Sequence, residues 1–377
     1  MDERSARDSG PPALPPPLAA LAPGGWAGGI RRARPRLPAF TLMHRSVSVV
    51  IPSFNRADLL PETLEAILGQ TSPAEQVIVV DDGSTDGTPE MVEARFGSRV
   101  ALRRIANSGD LAARNRGLAA ASGDLVAFCD SDDLWHPDFL AEMRRLWQAE
   151  PHLRAGFANF RIVRGGKWEA GDKFADAPAG FWDGLRELGG GAMAFDRPIV
   201  RRLIRFQPFF PSCLVADRGF LLGAGGWDES VGRTVGTDFA TMLRLAEHAP
   251  LGVLRRPLVG IRKHAANYSA DVQAMNLGDA AILDQLLAQR PSLRPLAAEI
   301  RESIAHRRRQ ALDTAFARRD FAAVRAIFAM LPESRRGRMQ RLKAGVARLP
   351  RPIGALVGNL LLRLGSLRRP ARASAAG

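Results

Sequence analysis

Residues Leu125 to Cys129 form a short apolar run that starts after Gly123 and ends directly in three carboxylates, Asp130, Asp132 and Asp133. Such a run, bounded by turn residues, suits a strand buried on both faces. Pro137 then opens a stretch in which Phe139, Leu140, Met143, Leu146 and Trp147 share one helical face. Acids at the carboxyl end of a buried parallel strand stand where open α/β sheets bind ligands. Crowded together, they repel one another unless a cation lies between them. Asp130 and Asp132 are one residue apart, so both can reach one hard divalent ion that keeps positions open for phosphate oxygens. An acidic turn at the start of a helix has the same local composition. Its place directly after a buried strand favours the ligand site.

The preceding residues repeat the pattern. Val47–Ile51 is a buried strand stopped by Pro52, and Leu60, Leu64, Ile67 and Leu68 mark one face of the helix after it. Gln76–Val80 is a second strand and also ends in acids, Asp81 and Asp82, before the glycine turn Gly83 to Gly87. Pro89 suits the first position of the next helix. Val100–Ile105 is a third strand, Asn107-Ser-Gly109 a turn and Asp110–Ala121 a helix. Strands alternating with helices predict an α/β fold, a mostly parallel sheet flanked by helices. Neither a P-loop nor a Gly-x-Gly-x-x-Gly follows the first strand, so a nucleotide here needs a metal ion for its phosphates rather than a helix N-terminus.

Five motifs occur in order: Val49-Val-Ile-Pro52-Ser-Phe54-Asn55-Arg56, Val79-Val-Asp-Asp82-Gly-Ser-Thr-Asp-Gly-Thr88, Asn107-Ser-Gly109, Ala113-Arg114-Asn115-Arg-Gly117 and Phe128-Cys-Asp130-Ser131-Asp132-Asp133-Leu-Trp135. Together they resemble the family-2 glycosyltransferases, which have a GT-A fold. Weaker similarity continues through Pro211-Ser212, Gly225-Gly-Trp-Asp228-Glu229 and Asp238-Phe to Arg262-Lys-His264 and ends near residue 270. The resemblance implies that the loop of Pro52, Phe54 and Asn55, with Asp82, holds the nucleotide base and that Arg114 braces the nucleotide. It implies that Asp130, Ser131 and Asp132 form the Asp-x-Asp segment for the ribose and a divalent cation, Mn2+ or Mg2+. Asp133 is open between that site and a cap for the helix at Pro137.

Similar proteins carry a Glu-Asp pair before a helix, with the Asp as catalytic base; here the pair is Thr237-Asp238. The resemblance implies that Asp238 is the base, although a plain helix N-cap would look the same. His264 falls where some relatives place a metal ligand, although one histidine in a basic loop is commonly a solvated side chain. Asp228 and Glu229 are expected to be structural first. Residues 165–200 match no motif; an acceptor-facing insertion is one reading of them.

Composition sets the outer limits. The net charge is +14, yet from Arg290 onward 20 Lys plus Arg face 5 Asp plus Glu, giving +15. The first 289 residues are close to neutral, so overall basicity does not argue for nucleic-acid binding. Cys129 and Cys213 fit core positions in a reducing compartment. No apolar run approaches the roughly 20 residues of a spanning helix. Residues 1–43 are Pro, Ala, Gly and Arg without period and are expected to be disordered or a mis-annotated extension, with Met43 as the true start. Residues 44–269 are the expected GT-A domain and 270–377 a basic α-helical region. In that region Ile353–Gly365 is an apolar segment flanked by arginines, which suits either an interfacial helix or a helical cap on the catalytic domain.

These features predict an inverting glycosyltransferase that uses a nucleotide-sugar donor, UDP-linked by first expectation. Its acceptor is a hydroxyl of a cell-envelope glycan or lipid-linked acceptor. The expected setting is cytoplasmic, peripheral at the inner face of the membrane, with no nucleic-acid partner. The competing readings are a nucleotidyltransferase and a non-catalytic sugar-nucleotide or glycan-binding module.

Overall fold

The computed structural model describes residues 45–264 and 271–367. The expected disorder of residues 1–43 and the start at Met43 lie outside the described residues. In chain order the elements of the first half are β1 (Val47–Ser53), α1 (Leu60–Leu68), β2 (Gln76–Asp81), α2 (Thr88–Phe96), β3 (Ala101–Arg104), α3 (Asp110–Ala120), β4 (Leu125–Phe128), β5 (Leu134–Trp135) and α4 (Phe139–Ala149). The helix predicted from Pro137 thus begins two residues later, at Phe139. There follow β6 (Ala155–Arg164), β7 (Lys167–Asp172), β8 (Leu185–Gly189), β9 (Ala192–Phe195), α5 (Val200–Leu203), β10 (Leu214–Asp217), α6 (Arg218–Gly223), α7 (Asp238–Leu245) and β11 (Leu251–Arg262). The helical region is α8 (Val272–Gln289), α9 (Ala297–Ala317), α10 (Phe321–Ala329), α11 (Arg338–Val346) and α12 (Arg351–Leu367).

The strands join in one sheet of order β3-β2-β1-β4-β10-β6-β11-β9-β8, with β5 on β11 and β7 on β6. β3, β2, β1 and β4 are parallel throughout. β10 enters antiparallel between β4 and β6, and β6 pairs parallel with β11. Alternation decides which core each side chain joins. Val50, Ile78, Val80, Val126 and Phe128 enter one core, while Val47, Val49, Ile51, Val77, Val79, Leu125 and Ala127 enter the other. Both faces of the central strands are therefore covered, as their unbroken apolar runs require. Cys129 and Cys213 are buried free thiols in the second core.

Two packing details position the site. Gly117 on α3 lies directly over β1, where a Cβ would run into Val50 Cγ1. That close approach seats the helix carrying Arg114 against the strand ends. The first core also continues into the helical region through Ile282, Leu283 and Leu286 of α8 and Ile300 and Ile304 of α9. Residues 165–200 supply β7, β8 and β9, and β9 pairs antiparallel with β11. Sequence patterning missed these strands because β7 and β8 are largely exposed and lack an apolar alternation.

Candidate active site

The strand-end acids meet at one edge of the sheet, and each has a different partner. Asp82, at the end of β2, accepts from the backbone N–H of Ser108 at 2.6 Å and of Gly109 at 2.8 Å. The turn Asn107-Ser-Gly109 is thereby folded over that carboxylate. Its neighbour Asp81 accepts from the Ser84 N–H at 3.1 Å through Oδ2, while its buried Oδ1 has no hydrogen-bond partner. The loop after β1 is tied to the same turn. Asn55, in a left-handed conformation with φ 51°, accepts from the Thr85 N–H at 2.8 Å, and its own N–H donates to Ser84 Oγ at 2.8 Å. Pro52 is buried in β1, and Phe54 stands 40% exposed at the loop tip, the kind of surface a flat ring could cover.

Arg114 is the centre of the charge arrangement. It is buried, donates to Asp130 Oδ1 at 2.6 Å and pairs with Asp110 one helical turn away. Its guanidinium lies 4.8 Å from the centroid of Trp227, which packs edge-on against Phe128. Burial works against the charge of Arg114, but Asp130 and Asp110 hold its pKa above the ordinary value. Trp227 is fixed by Asn115, which accepts from its N–H at 2.7 Å and donates to its carbonyl at 2.9 Å. The Gly-Gly-Trp segment therefore supplies the aromatic floor beneath Arg114. Sequence reading had assigned it no such part.

Burial raises the pKa of Asp130, Arg114 opposes that rise, and the charge of Asp132 adds to it. Asp132 Oδ2 lies 2.9 Å from His264 Nε2 and 3.9 Å from an Arg56 guanidinium nitrogen. Asp130, Asp132 and His264 do not gather into one metal cluster. Among the described residues no three His, Cys, Asp or Glu side chains are placed to hold an ion. Arg114 already supplies Asp130 with a counter-charge, and His264 meets Asp132. Ser131 is buried and its carbonyl accepts from Thr63 Oγ1 at 3.1 Å, so the segment is anchored to α1 by its backbone.

Asp133 is a structural residue and not the helix cap at Pro137. Its carboxylate accepts from Ser212 Oγ at 2.5 Å and from the Arg262 N–H at 3.1 Å. Burial, then the charges of Asp132 and Asp130, push its pKa well above the ordinary carboxylate value. Arg262 closes the same loop from the other side. It donates to the Asp132 carbonyl, to Glu62 at 2.5 Å, to the Leu59 carbonyl at 2.9 Å and to Thr63 Oγ1 at 2.7 Å. In the sequence Arg262 stands out only within the weaker similarity that ends near residue 270.

Asp238, near enough to Arg114 and Asp130 to feel both charges, is the first residue of α7, one past the N-cap Thr237. Among the described residues its side chain caps no N–H of its own helix and is met by Gln207, whose amide donates to Oδ2 at 3.3 Å. Burial raises its pKa to about 7; Arg114 opposes this, and Asp279, Asp130 and Asp110 add to it. Asp279 comes from α8 and is ion-paired with the buried Arg307 of α9 at 3.3 Å. The helical region thus reaches the back of the loop that carries Asp238. Thr237 is buried where the resemblance would place a glutamate. Asp228 caps the short turn Glu229–Val231 and pairs with Arg290, while Glu229 accepts from Asn115 at 2.6 Å. Both are held in structural roles.

Residues 48–198 match the profile of Glycosyl transferase family 2. The chain is 36% identical over 135 residues to the putative teichuronic acid biosynthesis glycosyltransferase TuaG of Bacillus subtilis, covering 35% of this chain and 53% of that protein. It is 41% identical over 98 residues to the succinoglycan biosynthesis protein ExoO of Rhizobium meliloti, covering 26% and 28%. The chain therefore spans about half or less of the length of these relatives. Among solved structures, residues 1–349 of S. aureus TarS in complex with UDP-GlcNAc share the fold at a TM-score of 0.57. That match is 18% identical and covers 85% of this chain and 92% of the other. Residues 48–198, which carry the acid-ended strands, are thus similar to glycosyl transferase family 2, and the chain shares the GT-A fold of TarS.

Proposed function

We propose that the chain transfers a sugar from a nucleoside-diphosphate donor, UDP-linked, to a hydroxyl of a cell-envelope glycan or lipid-linked acceptor, with inversion. One observation carries this reading: Asp238, a carboxyl group with its pKa raised to about 7, lies close enough to feel the charges of Arg114 and of Asp130, the acid at the end of β4. The donor side would use Asp82, Asn55 and Phe54 for the base and Arg114 with Asp130 for the sugar-nucleotide. Relatives in teichuronic acid and succinoglycan biosynthesis support a cell-envelope acceptor. The UDP-GlcNAc complex of the TarS fold supports the type of donor.

The acids suit a divalent cation. Asp130 Oδ2 and Asp132 Oδ1 have no hydrogen-bond partner among the described residues, and the charge of Asp132 adds to the cost of ionising Asp130. These two residues would hold the ion together with donor phosphates, with His264 steadying Asp132. Once bound, it would neutralise the diphosphate as a leaving group. Asp238 would take the proton from the acceptor hydroxyl as the hydroxyl oxygen attacks the anomeric carbon and the bond from that carbon to the nucleoside diphosphate breaks. Gln207 would hold Oδ2 of Asp238. The indole of Trp227 would keep water from the buried face of Arg114.

Product analysis tests the reaction class. Free UDP released with acceptor present supports glycosyl transfer, pyrophosphate would indicate nucleotidyl transfer, and donor binding without turnover would indicate a binding module. Asp238→Asn should bind UDP like the parent but transfer roughly 100-fold more slowly or worse. A folded Asp238→Asn protein with parental turnover would remove Asp238 as the base.

A further inference from the structure

The helical region carries an apolar face that the fold leaves uncovered. On α12, Gly354 and Gly358 and the side chains of Val357 and Leu361 face the helical core around Phe316 and Phe321. Arg319 fixes the rotation of the helix by donating to Asn359 Oδ1 at 2.7 and 3.1 Å. Ile353, Leu356 and Leu360, spaced i, i+3 and i+7, therefore share the opposite face, where they are 49%, 72% and 59% exposed. Met339 and Leu342 of α11 are exposed as well, at 53% and 44%. Singly exposed leucines are ordinary, but an aligned stripe on one helix marks an interaction surface.

The charge around that stripe identifies the partner. Residues 334–377 hold 11 Lys plus Arg and not one Asp or Glu. Two copies meeting through this face about a two-fold axis would set like charge against like. A nucleic acid would match the charge but not the side chains, because residues 334–377 contain no Phe, Trp or Tyr for base stacking. Aliphatic side chains on one face with arginines beside them fit the boundary between anionic headgroups and acyl chains. No described helix is long and apolar enough to cross a membrane, so α12 would lie in the plane of the surface. We propose that α12, with the exposed Arg338, Arg341 and Arg348 that precede it, is a docking surface for an anionic lipid bilayer. Docking here holds the chain beside a membrane-borne acceptor without using any residue of the transfer site.

The test is co-sedimentation of the whole chain with phosphatidylglycerol–phosphatidylcholine vesicles, beside vesicles of phosphatidylcholine alone. The parent should bind the anionic vesicles, and added salt should weaken the binding. The double variant Leu356→Asp, Leu360→Asp should melt like the parent, because both side chains are exposed. It should lose vesicle affinity by about tenfold or more per leucine. Equal vesicle binding by parent and variant would overturn the proposal. So would a parent that ignores anionic vesicles, whether it instead forms a dimer that the variant abolishes or binds RNA.

Discussion

The two sides of the site treat a buried carboxylate in opposite ways. On the side of β2 and β4 every acid has close partners: Asp82 two backbone N–H groups, Asp130 the Arg114 guanidinium, Asp133 a serine hydroxyl and a backbone N–H. On the side of α7, Asp238 has, among the described residues, one amide contact at 3.3 Å, and burial raises its pKa to about 7, with Asp279, Asp130 and Asp110 adding to the rise. An acid that binds a ligand is best held rigid and compensated. An acid that must accept a proton near neutral pH is best left undercompensated. On the proposed reading, that difference separates donor binding from proton transfer.

Removing the compensation should have the largest effect. Arg114→Met leaves Asp130, whose side chain is 32% exposed, without its cation; breaking a fully buried pair costs about 3–5 kcal/mol, and the exposure of Asp130 puts the expected loss at or below the lower end. Denaturant unfolding should show a loss of that order, with UDP affinity falling with it. A parental midpoint would mean Asp130 is solvated or otherwise neutralised. Next comes the cation. UDP affinity measured by calorimetry should fall about tenfold or more in chelator, or in Asp132→Asn, since the acids then face the diphosphate without a counter-charge. Unchanged affinity in either would dismiss the metal at this site.

The other side predicts a pH effect whose sign follows from linkage. The carboxyl of Asp238 takes up its proton more readily folded, near pH 7, than unfolded, near 3.8. Between those values the folded chain binds more protons, so the contribution of Asp238 to stability falls as pH rises and levels off above about 7. Asp238→Asn removes that term. Between pH 5 and pH 8 the parent should therefore lose more melting temperature than the variant; parallel curves would show that Asp238 is not perturbed. The same shift places the acid limb of transfer near pH 7, with activity falling below it as the base is protonated. The smallest effect is expected from Asp279→Asn. It removes a negative neighbour of Asp238 and should move that limb down by a few tenths of a unit, with some stability lost because Arg307 is left unpaired. An unmoved limb would separate the helical region from the base.

Much of the donor side was legible in the chain because its signals are local. A buried strand, an acid at its end and a glycine turn after it are contiguous in sequence, so Asp82, Asp130 and Asp132 could be found without a fold. The places where they differ could not. Asp130 and Asp133 are separated by two residues, yet one meets Arg114 of α3 and the other Ser212 and Arg262, 79 and 129 residues further along. Trp227, Gln207 and Arg262 carry no local motif that marks their roles, which arise only when β10 enters the sheet antiparallel and brings their loops to the same edge.

By itself the sequence determined the alternating α/β plan, the parallel strands with both faces buried, the family resemblance and the acids at the strand ends. These follow from period-two burial and turn chemistry, which act over a few residues. Tertiary structure alone decided which acids are neutralised, that Asp238 stands free of its helix cap, and that α8 and α9 set Asp279 and Arg307 behind it. The physical reason is range: protonation and ion pairing depend on burial and on charges within a few ångströms, and chain separation says nothing about either.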